Sequence, residues 1–308
     1  MQLNILGYPM NKLTKTIKFS YKGWLFISPL VIGILIFNIY PMCSSLIYSF
    51  SDYDMINPAE NFGFQNYIAI FDMEKSAAFW QAMKNTFKNA FLQIPLAMVF
   101  SYLLAVMLKK QTPFNQTLRV LYYLPVLMPT VVSGLIYKNI FDGEHCIANT
   151  LLGYLNMEPM AFLSEENAMG TLIYIQLTTI GSGMIIWLAA LNAIPESLYE
   201  AAEIDGASKV HSFFAITIPM TTPAIFYNLV MGVIGAFQIF GLPYNLVGEA
   251  GGNGKALYFI VMHIYRKAFN DMAFSVAAAM SWVLFAFIGV LTLVNFSLQK
   301  WIYYGEES

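Results

Sequence analysis

Few side chains in this sequence could carry out chemistry, and they are scattered. His145, His211 and His263 lie far apart along the chain, each in or beside a loop. The acids and cysteines around them do not have the spacing of a metal site or of an activated nucleophile. We interpret all three as surface histidines. The pair Gly254-Lys255 lacks both the earlier Gly and the following Ser or Thr of a phosphate-binding Walker A loop. We therefore expect no catalytic residue, no metal and no cofactor in this chain.

Neutral polar side chains inside apolar runs form the second group of candidates. An unpaired amide or hydroxyl is costly in hydrocarbon, so such side chains should face other helices or a water-filled path. Close packing between helices that carry small residues explains the same pattern, and the two interpretations stay open. Phe237 could add an apolar face for the ring of a ligand. The candidate substrate path consists of Gln176, Thr179, Ser182, Gly235, Phe237 and Gln238.

The composition places these residues in a lipid bilayer. The chain is 58% apolar and 11% charged, with a mean hydropathy of +0.58, whereas a soluble domain is about 25% charged. A membrane-spanning helix needs roughly 20 apolar residues. Runs of that length without Asp, Glu, Lys or Arg occupy 23–51, 89–108, 120–137, 167–195, 210–248 and 272–299. The sequence therefore predicts an all-α integral membrane protein with six transmembrane helices, one for each run.

The order of the runs predicts the topology. The fifth run is too long for one crossing, and Pro219 and Pro223 divide it, which leaves 224–246 as the span. An even number of crossings places both termini on one side, and basic residues mark that side as cytoplasmic. The basic residues concerned are Lys12, Lys15, Lys18 and Lys22 before the first run and Lys109, Lys110 and Arg119 after the second.

The partly polar segment 198–223 interrupts the apolar pattern. Helix-forming residues from Glu200 to Glu203 precede the turn pair Asp205-Gly206, and we expect a second helix to start at Ala207. The surrounding loop, 193–222, holds four acids and one lysine. Anionic headgroups would repel this loop, whereas a basic groove on a soluble partner would neutralise it. A solvated face is the alternative interpretation.

The same segment carries a resemblance to a known family. Glu200-Ala201-Ala202, Gly206, Ile216 and Pro219 have the spacing of the "EAA" loop of binding-protein-dependent ABC importer permeases. The longer pattern at 199–208 is similar to the carbohydrate-uptake branch, and the resemblance covers most of the chain from 24 to 300. One departure is Ile218, where the family usually has Leu. The outer segments 61–67 and 251–253 are similar to the maltose-type "F" membrane subunit, although Asn253 replaces the usual Pro.

This resemblance implies a MetI-like, type I ABC importer permease for a carbohydrate in the bacterial plasma (inner) membrane. It also implies a second homologous permease subunit, two cytoplasmic ABC ATPase subunits, an extracellular solute-binding protein and surrounding membrane lipid, with no nucleic acid. The chain divides into a cytoplasmic tail (1–21), a first helix with its external loop (22–81), a permease core (82–298) with the coupling loop 194–223, and a second cytoplasmic tail (299–308). The implied ATPase-coupling residues are Glu200, Ala201, Ala202, Asp205, Gly206, Ala207 and Ser208.

Two other functions remain open at this stage. A secondary carrier would need no ATPase, but carriers coupled to protons or sodium usually place carboxylates near the bilayer midplane, and the six runs contain none. An importer of a non-sugar solute such as glycerol phosphate would want Arg or Lys along its path. A neutral sugar fits these runs better, although its identity and length stay open. Cys43 and Cys146 lie toward the outer side, and we expect free thiols although a disulfide is conceivable.

Overall fold

The computed structural model describes residues 10–74, 76–299 and 302 of the 308-residue chain, with the backbone alone for residues 10–20. Most of the predicted C-terminal tail and residues 1–9 of the predicted N-terminal tail lie outside these ranges. All regular secondary structure in the described ranges is helical. The α-helices are α1 (Met10–Ile34), α2 (Tyr40–Ser49), α3 (Gln65–Phe71), α4 (Ala77–Met107), α5 (Pro113–Tyr123), α6 (Thr130–Phe141), α7 (Ile147–Tyr154), α8 (Ala168–Leu177), α9 (Gly181–Ala193), α10 (Glu196–Ile204), α11 (Lys209–Ser212), α12 (Ile218–Met220), α13 (Thr222–Phe237), α14 (Gly241–Val247), α15 (Ile260–Phe269) and α16 (Phe274–Ser297).

The spans fall into two kinds. Tyr21–Ser49, Ala77–Met107 and Phe274–Ser297 are continuous helices that are long and apolar enough to cross a membrane. Three further spans are helix pairs with a bend, of 100° between Pro113–Leu127 and Thr130–Phe141, 43° between Ala168–Leu177 and Gly181–Ala193, and 61° between Lys209–Met220 and Thr222–Phe237. With each bent pair taken as one span, the prediction of six transmembrane helices is confirmed.

Two prolines create π-helical turns inside spans. Leu35–Ile39 lies just before Pro41, and Phe213–Thr217 lies just before Pro219. A proline has no N–H to donate to the carbonyl four residues earlier, and its ring crowds that carbonyl. The π turn absorbs this mismatch, with the N–H of Tyr40 bonded to the carbonyl of Leu35. The first span therefore stays helical to Ser49, whereas the helix that contains Pro219 runs only to Met220, where the fifth span bends.

The fifth span ends earlier than predicted. The sequence predicted one helix over 224–246, but α13 ends at Phe237 and α14 begins at Gly241. Pro243 explains the break, because in a continuous helix it would leave the carbonyl of Ile239 without a donor. Gln238 therefore lies at the end of α13, where the chain turns.

The long helix α4 lies at the centre of the bundle. It packs against α8, α9, α13 and α15, and buried residues along its length belong to three apolar clusters. Near the N-terminal end of α4, the hydroxyl of the buried Thr86 accepts a hydrogen bond from the backbone N–H of Ile260, at 3.0 Å. The first span is the opposite case, since none of its most apolar window is buried within the chain. It contacts α16, where the indole of Trp282 donates to the Ser45 hydroxyl at 3.0 Å.

The interpretation of all three histidines as surface residues was wrong for one of them. His145 and His211 are exposed, but His263 is only 5% exposed. Its Nδ1 lies 3.0 Å from the hydroxyl of Tyr258, and its ring contacts the edge of Phe79. Burial, followed by the charge of Lys267, lowers the pKa of His263 to about 4. Cys43 is exposed and Cys146 buried, and both are free thiols.

We predict that His263 makes the fold around α15 acid-sensitive. The unfolded chain binds a proton near the ordinary pKa of 6.5 and the folded chain only near 4, so the stability from neutral His263 is present above pH 6.5 and is lost as the pH falls towards 4. Lowering the pH from about 7.5 to about 5 should cost roughly 2 kcal/mol through this residue. Thermal unfolding in detergent should show a smaller loss in His263→Gln than in the unaltered protein. The exposed control His211→Gln should behave as the unaltered protein, and an equal loss in all three would contradict the prediction.

Candidate functional site

The segment after α9 forms a polar elbow, which we define as residues 196–212. Helix α10 ends with the N–H of Gly206 bonded to the carbonyl of Glu203, at 3.0 Å, and Gly206 has a φ of +76°. Glycine is favoured there because side chains rarely adopt that left-handed conformation. The predicted bend is therefore present. The second helix starts later than predicted, at Lys209 instead of Ala207, because the Ser208 hydroxyl caps it by accepting from the N–H of His211 at 3.2 Å.

The elbow presents its acids outward. Glu196, Glu200, Glu203 and Asp205 are exposed, and none of them forms an ion pair with another described residue of the chain. Among the remaining predicted coupling residues, Ala201, Gly206 and Ser208 are exposed, whereas Ala202 and Ala207 are half-buried. Among the described residues, this surface carries negative charge without an ion-pair partner. It can bind a complementary basic surface.

A cavity of about 700 Å³ opens between α4, α8, α9 and α13. The chain breaks at 178–180 and 238–240 both contribute to its wall. Of the described residues that line it, none carries a charge. The polar lining residues are Asn89, Gln93, Ser101, Thr130, Gln176, Thr179, Ser182, Tyr227, Asn228 and Gln238. The cavity therefore offers hydrogen bonds from amides and hydroxyls, together with apolar surface.

The cavity brings together most of the predicted substrate-path residues. Gln176, Thr179, Ser182, Gly235 and Gln238 all lie on its wall.

Phe237 does not line the cavity, in contrast to its predicted place in the substrate path. Its side chain is 3% exposed and packs between Phe87 and Phe287, with ring centroids 5.1 and 5.3 Å away. On a helix each residue turns the side-chain direction by about 100°, so Gly235 and Phe237, two positions apart, point to nearly opposite sides, one to the cavity and one to the core. Phe237 is a packing residue.

Asn89 is a lining residue that sequence reasoning missed. It is fully buried at the middle of α4, and neither atom of its amide group has a hydrogen-bond partner among the described residues. The Oε1 atom of Gln176 is also buried without a hydrogen-bond partner among the described residues. The charge-free run began at Asn89, directly after Lys88, so the sequence suggested a helix end at that position. A signal was available, because Asn89, Gln93 and Ser101 follow the four-residue spacing of one helix face.

Comparison with known proteins identifies the family. The family described as "Binding-protein-dependent transport system inner membrane component" matches residues 95–304. The chain belongs to this family. The resemblance carried by the pattern around Glu200 is thereby confirmed, and this permease is a multi-pass inner membrane protein.

Relatives and a solved structure agree with this assignment along the whole permease. It is 35% identical to the "Probable ABC transporter permease protein YesP" of Bacillus subtilis (strain 168), over 97% of each chain. It is 31% identical to the "Lactose transport system permease protein LacF" of Rhizobium radiobacter, over 90% of this chain and 94% of that one. The fold matches a chain of a bacterial alginate ABC transporter solved in complex with an alginate pentasaccharide-bound periplasmic protein, with a TM-score of 0.79, 22% identity, and coverage of 94% and 97%.

We predict opposite effects for two glycines near the cavity. An added Cβ at Gly181 would lie 2.3 Å from the backbone oxygen of Tyr122, whereas one at Gly235 would have no neighbour within 4 Å. Gly181→Ala should therefore destabilise the permease by about 1–3 kcal/mol, and Gly235→Ala should stabilise it by up to about 1 kcal/mol because alanine favours a helix. Thermal unfolding in detergent distinguishes the two variants. Similar losses in both would show that the close contact at Gly181 is not what limits substitution.

Proposed function

We propose that this permease carries a neutral sugar through the cavity and that cytoplasmic ATPase subunits drive it by binding the elbow. The observation that carries the proposal is the separation of charge between the two sites. The cavity wall is polar but uncharged among its described residues, whereas the elbow exposes four carboxylates that form no ion pair with another described residue. A sugar presents many hydroxyls and no charge, so it matches the cavity, and a motor with a basic groove matches the elbow.

The cavity chemistry favours a sugar over a phosphate-bearing solute. An anion in a water-poor site needs cations or many N–H donors, because its burial without them costs several kcal/mol. The lining amides Asn89, Gln93, Gln176 and Gln238 can each donate to and accept from hydroxyl groups. The volume of about 700 Å³ is in the range of small-molecule sites. The lactose transport system of one relative supports the same solute class.

The partners follow from the surfaces that the chain leaves uncovered. The exposed first span suits contact with lipid and with a second, homologous permease subunit. That second subunit would complete the wall of the path. The solved complex of an alginate transporter with its periplasmic protein supports an extracellular solute-binding protein as the donor of the sugar. The basic residues before the first span and after α4 support a cytoplasmic position for both termini, and with them for the elbow.

The mechanism uses the elbow as a lever. ATP-driven closure of two ATPase subunits would displace α10, and with it the bent spans formed by α8 with α9 and by α12 with α13. These spans line the cavity, so their tilt would expose it alternately to the two sides of the membrane. Glu200 would hold the lever in the ATPase groove, and Gly206 would set the angle between its two helices. The extent of the proposed coupling loop is 194–223.

We predict that two substitutions in the elbow abolish uptake without preventing membrane insertion. Glu200→Lys reverses the charge that faces the basic groove, and Gly206→Leu forces a side chain into a left-handed backbone conformation. Uptake of labelled lactose and of a panel of neutral oligosaccharides should fall to background at normal protein abundance. Glu158→Lys, at an exposed acid far from the elbow, is the matched control and should leave uptake unchanged. Normal uptake in both elbow variants at normal abundance would refute the lever.

We predict that Asn89→Leu impairs uptake while leaving the fold intact. The substitution removes a buried amide that has no partner within the described chain, so stability should stay equal or rise. Loss of one hydrogen bond to a sugar hydroxyl should weaken the apparent affinity by about two- to tenfold. Uptake at several concentrations of the same sugars, together with thermal unfolding, measures both effects. Asn139→Leu, at an exposed position of α6, is the control. Unchanged uptake with a lower melting temperature would assign Asn89 to structure alone.

A further inference from the structure

A series of hydroxyl groups connects the elbow to the centre of the bundle. The hydroxyl of Tyr199 lies 2.8 Å from Oγ1 of Thr217. The Thr221 hydroxyl donates to the backbone carbonyl of Thr217 at 2.9 Å. The hydroxyl of Tyr102 lies 3.1 Å from Oγ1 of Thr221. We call these four residues the hydroxyl chain. It links α10, the helical segment Lys209–Met220 and α4, which are far apart in sequence.

At its cytoplasmic end, the hydroxyl chain holds the elbow to the bundle. Of the nine residues of α10, only Tyr199 and Ala202 are partly buried, and they lie three residues apart on one face. Tyr199 packs against the apolar cluster that includes Leu188 and Leu191. The ammonium group of Lys109 lies 5.0 Å from the centre of its ring, a cation–π contact with the loop after α4. Tyr199 is therefore the main attachment of α10.

In its middle, the hydroxyl chain lies at the bend of the fifth span. Thr221 separates Lys209–Met220 from Thr222–Phe237, whose axes differ by 61°. It is fully buried, and its N–H is shared between the carbonyls of Thr217 and Ile218, at 3.2 and 3.1 Å. A shared hydrogen bond of this kind can shift from one carbonyl to the other as the bend changes.

At its inner end, the hydroxyl chain reaches the cavity wall. Tyr102 meets the buried indole of Trp187 edge to face, with ring centroids 5.0 Å apart. The indole N–H of Trp187 donates to the hydroxyl of Ser101 at 2.9 Å, and Ser101 lines the cavity. Tyr102 is thus connected to a residue of the cavity wall through the indole of Trp187.

We propose that the hydroxyl chain transmits the movement of the docked elbow to the bend at Thr221 and so to the cavity. This inference rests on the proposed function, because it requires a motor on the elbow. Tyr199 and Tyr102 are positioning residues in this account, since neither one needs to touch the solute. The apolar contacts of Tyr199 hold α10 in place, and its hydroxyl fixes the direction in which α10 moves the bend.

Tyr199→Phe separates these two roles of Tyr199. It keeps the ring, its packing and the cation–π contact with Lys109, and removes only the hydroxyl. The test uses the whole reconstituted importer and a reporter cysteine in the cavity, introduced by Ser182→Cys in a Cys43→Ser background, because Cys43 is exposed and Cys146 is buried. Labelling by a membrane-impermeant maleimide, with and without ATP and vanadate, reports cavity accessibility without knowledge of the sugar. ATP hydrolysis is measured on the same vesicles.

We expect Tyr199→Phe to weaken the coupling of ATP hydrolysis to cavity accessibility without stopping ATP hydrolysis itself. In Tyr199→Phe, ATP hydrolysis should stay within about twofold, while the ATP-induced change in labelling should fall by about two- to tenfold, the effect of one hydrogen bond on an equilibrium. Tyr102→Phe should act in the same way, and the double variant should lose no more than the stronger single one, since both break one chain. Tyr154→Phe, at a residue that is 81% exposed, is the control and should change neither measurement.

Two failures are distinguishable. A cysteine introduced by Ala201→Cys, also in the Cys43→Ser background, should crosslink to the ATPase in otherwise unaltered permease and equally in Tyr199→Phe. Absence of that crosslink in the unaltered permease would overturn the proposed function. A normal crosslink together with an undiminished labelling change in Tyr199→Phe, or strictly additive losses in the double variant, would overturn the hydroxyl chain as transmitter and leave the proposed function standing.

Discussion

The backbone of this permease must satisfy its own hydrogen bonds wherever hydrocarbon surrounds it. An unpaired peptide group in a bilayer core costs several kcal/mol, so irregular backbone is tolerated there only where protein or a polar cavity covers it. Three of the six spans are bent. For two of them, the structure shows what covers the irregular backbone. The break at 178–180 lies on the cavity wall, with the Thr179 hydroxyl bonded to the carbonyl of Gln176 at 2.8 Å. The bend at Thr221 is fully buried.

This constraint ties the position of the cavity to the position of the bends. Each break frees carbonyls and redirects side chains, and both effects make a polar surface in an otherwise apolar bundle. The wall that results is uncharged in its described part, so it offers no carboxylate to couple solute movement to protons or sodium. The elbow, by contrast, exposes four carboxylates, and none of them forms an ion pair with another described residue. The division between an uncharged path and an acidic contact surface is the physical reason to expect a separate motor.

The sequence predicts the number of spans and the elbow, but not the shape of the spans. Exclusion of charge from hydrocarbon acts on composition, so a charge-free run identifies a span whether it is straight or bent. The elbow could be predicted because Asp205-Gly206 is a local turn signal and the spacing from Glu200 to Pro219 is a family pattern.

Local sequence patterns could not predict which side chains are buried by residues that lie far away in the sequence. His263 packs against Phe79, which lies far away in sequence, and the position of Asn89 within the bundle depends on where α4 begins. The early end of α13 follows from Pro243. A search for charge-free runs does not detect this break, because proline is uncharged.

Reconstitution of solute flux tests the central claim most directly, which is that this charge-poor bundle moves its solute only under an external motor. Proteoliposomes would contain the permease with its partner permease, with or without the ATPase subunits, and uptake of labelled lactose and neutral oligosaccharides would be followed under ATP, a proton gradient or a sodium gradient. The account predicts uptake only with the ATPase subunits, ATP and the solute-binding protein together. Uptake driven by an ion gradient in the absence of the ATPase subunits would contradict it.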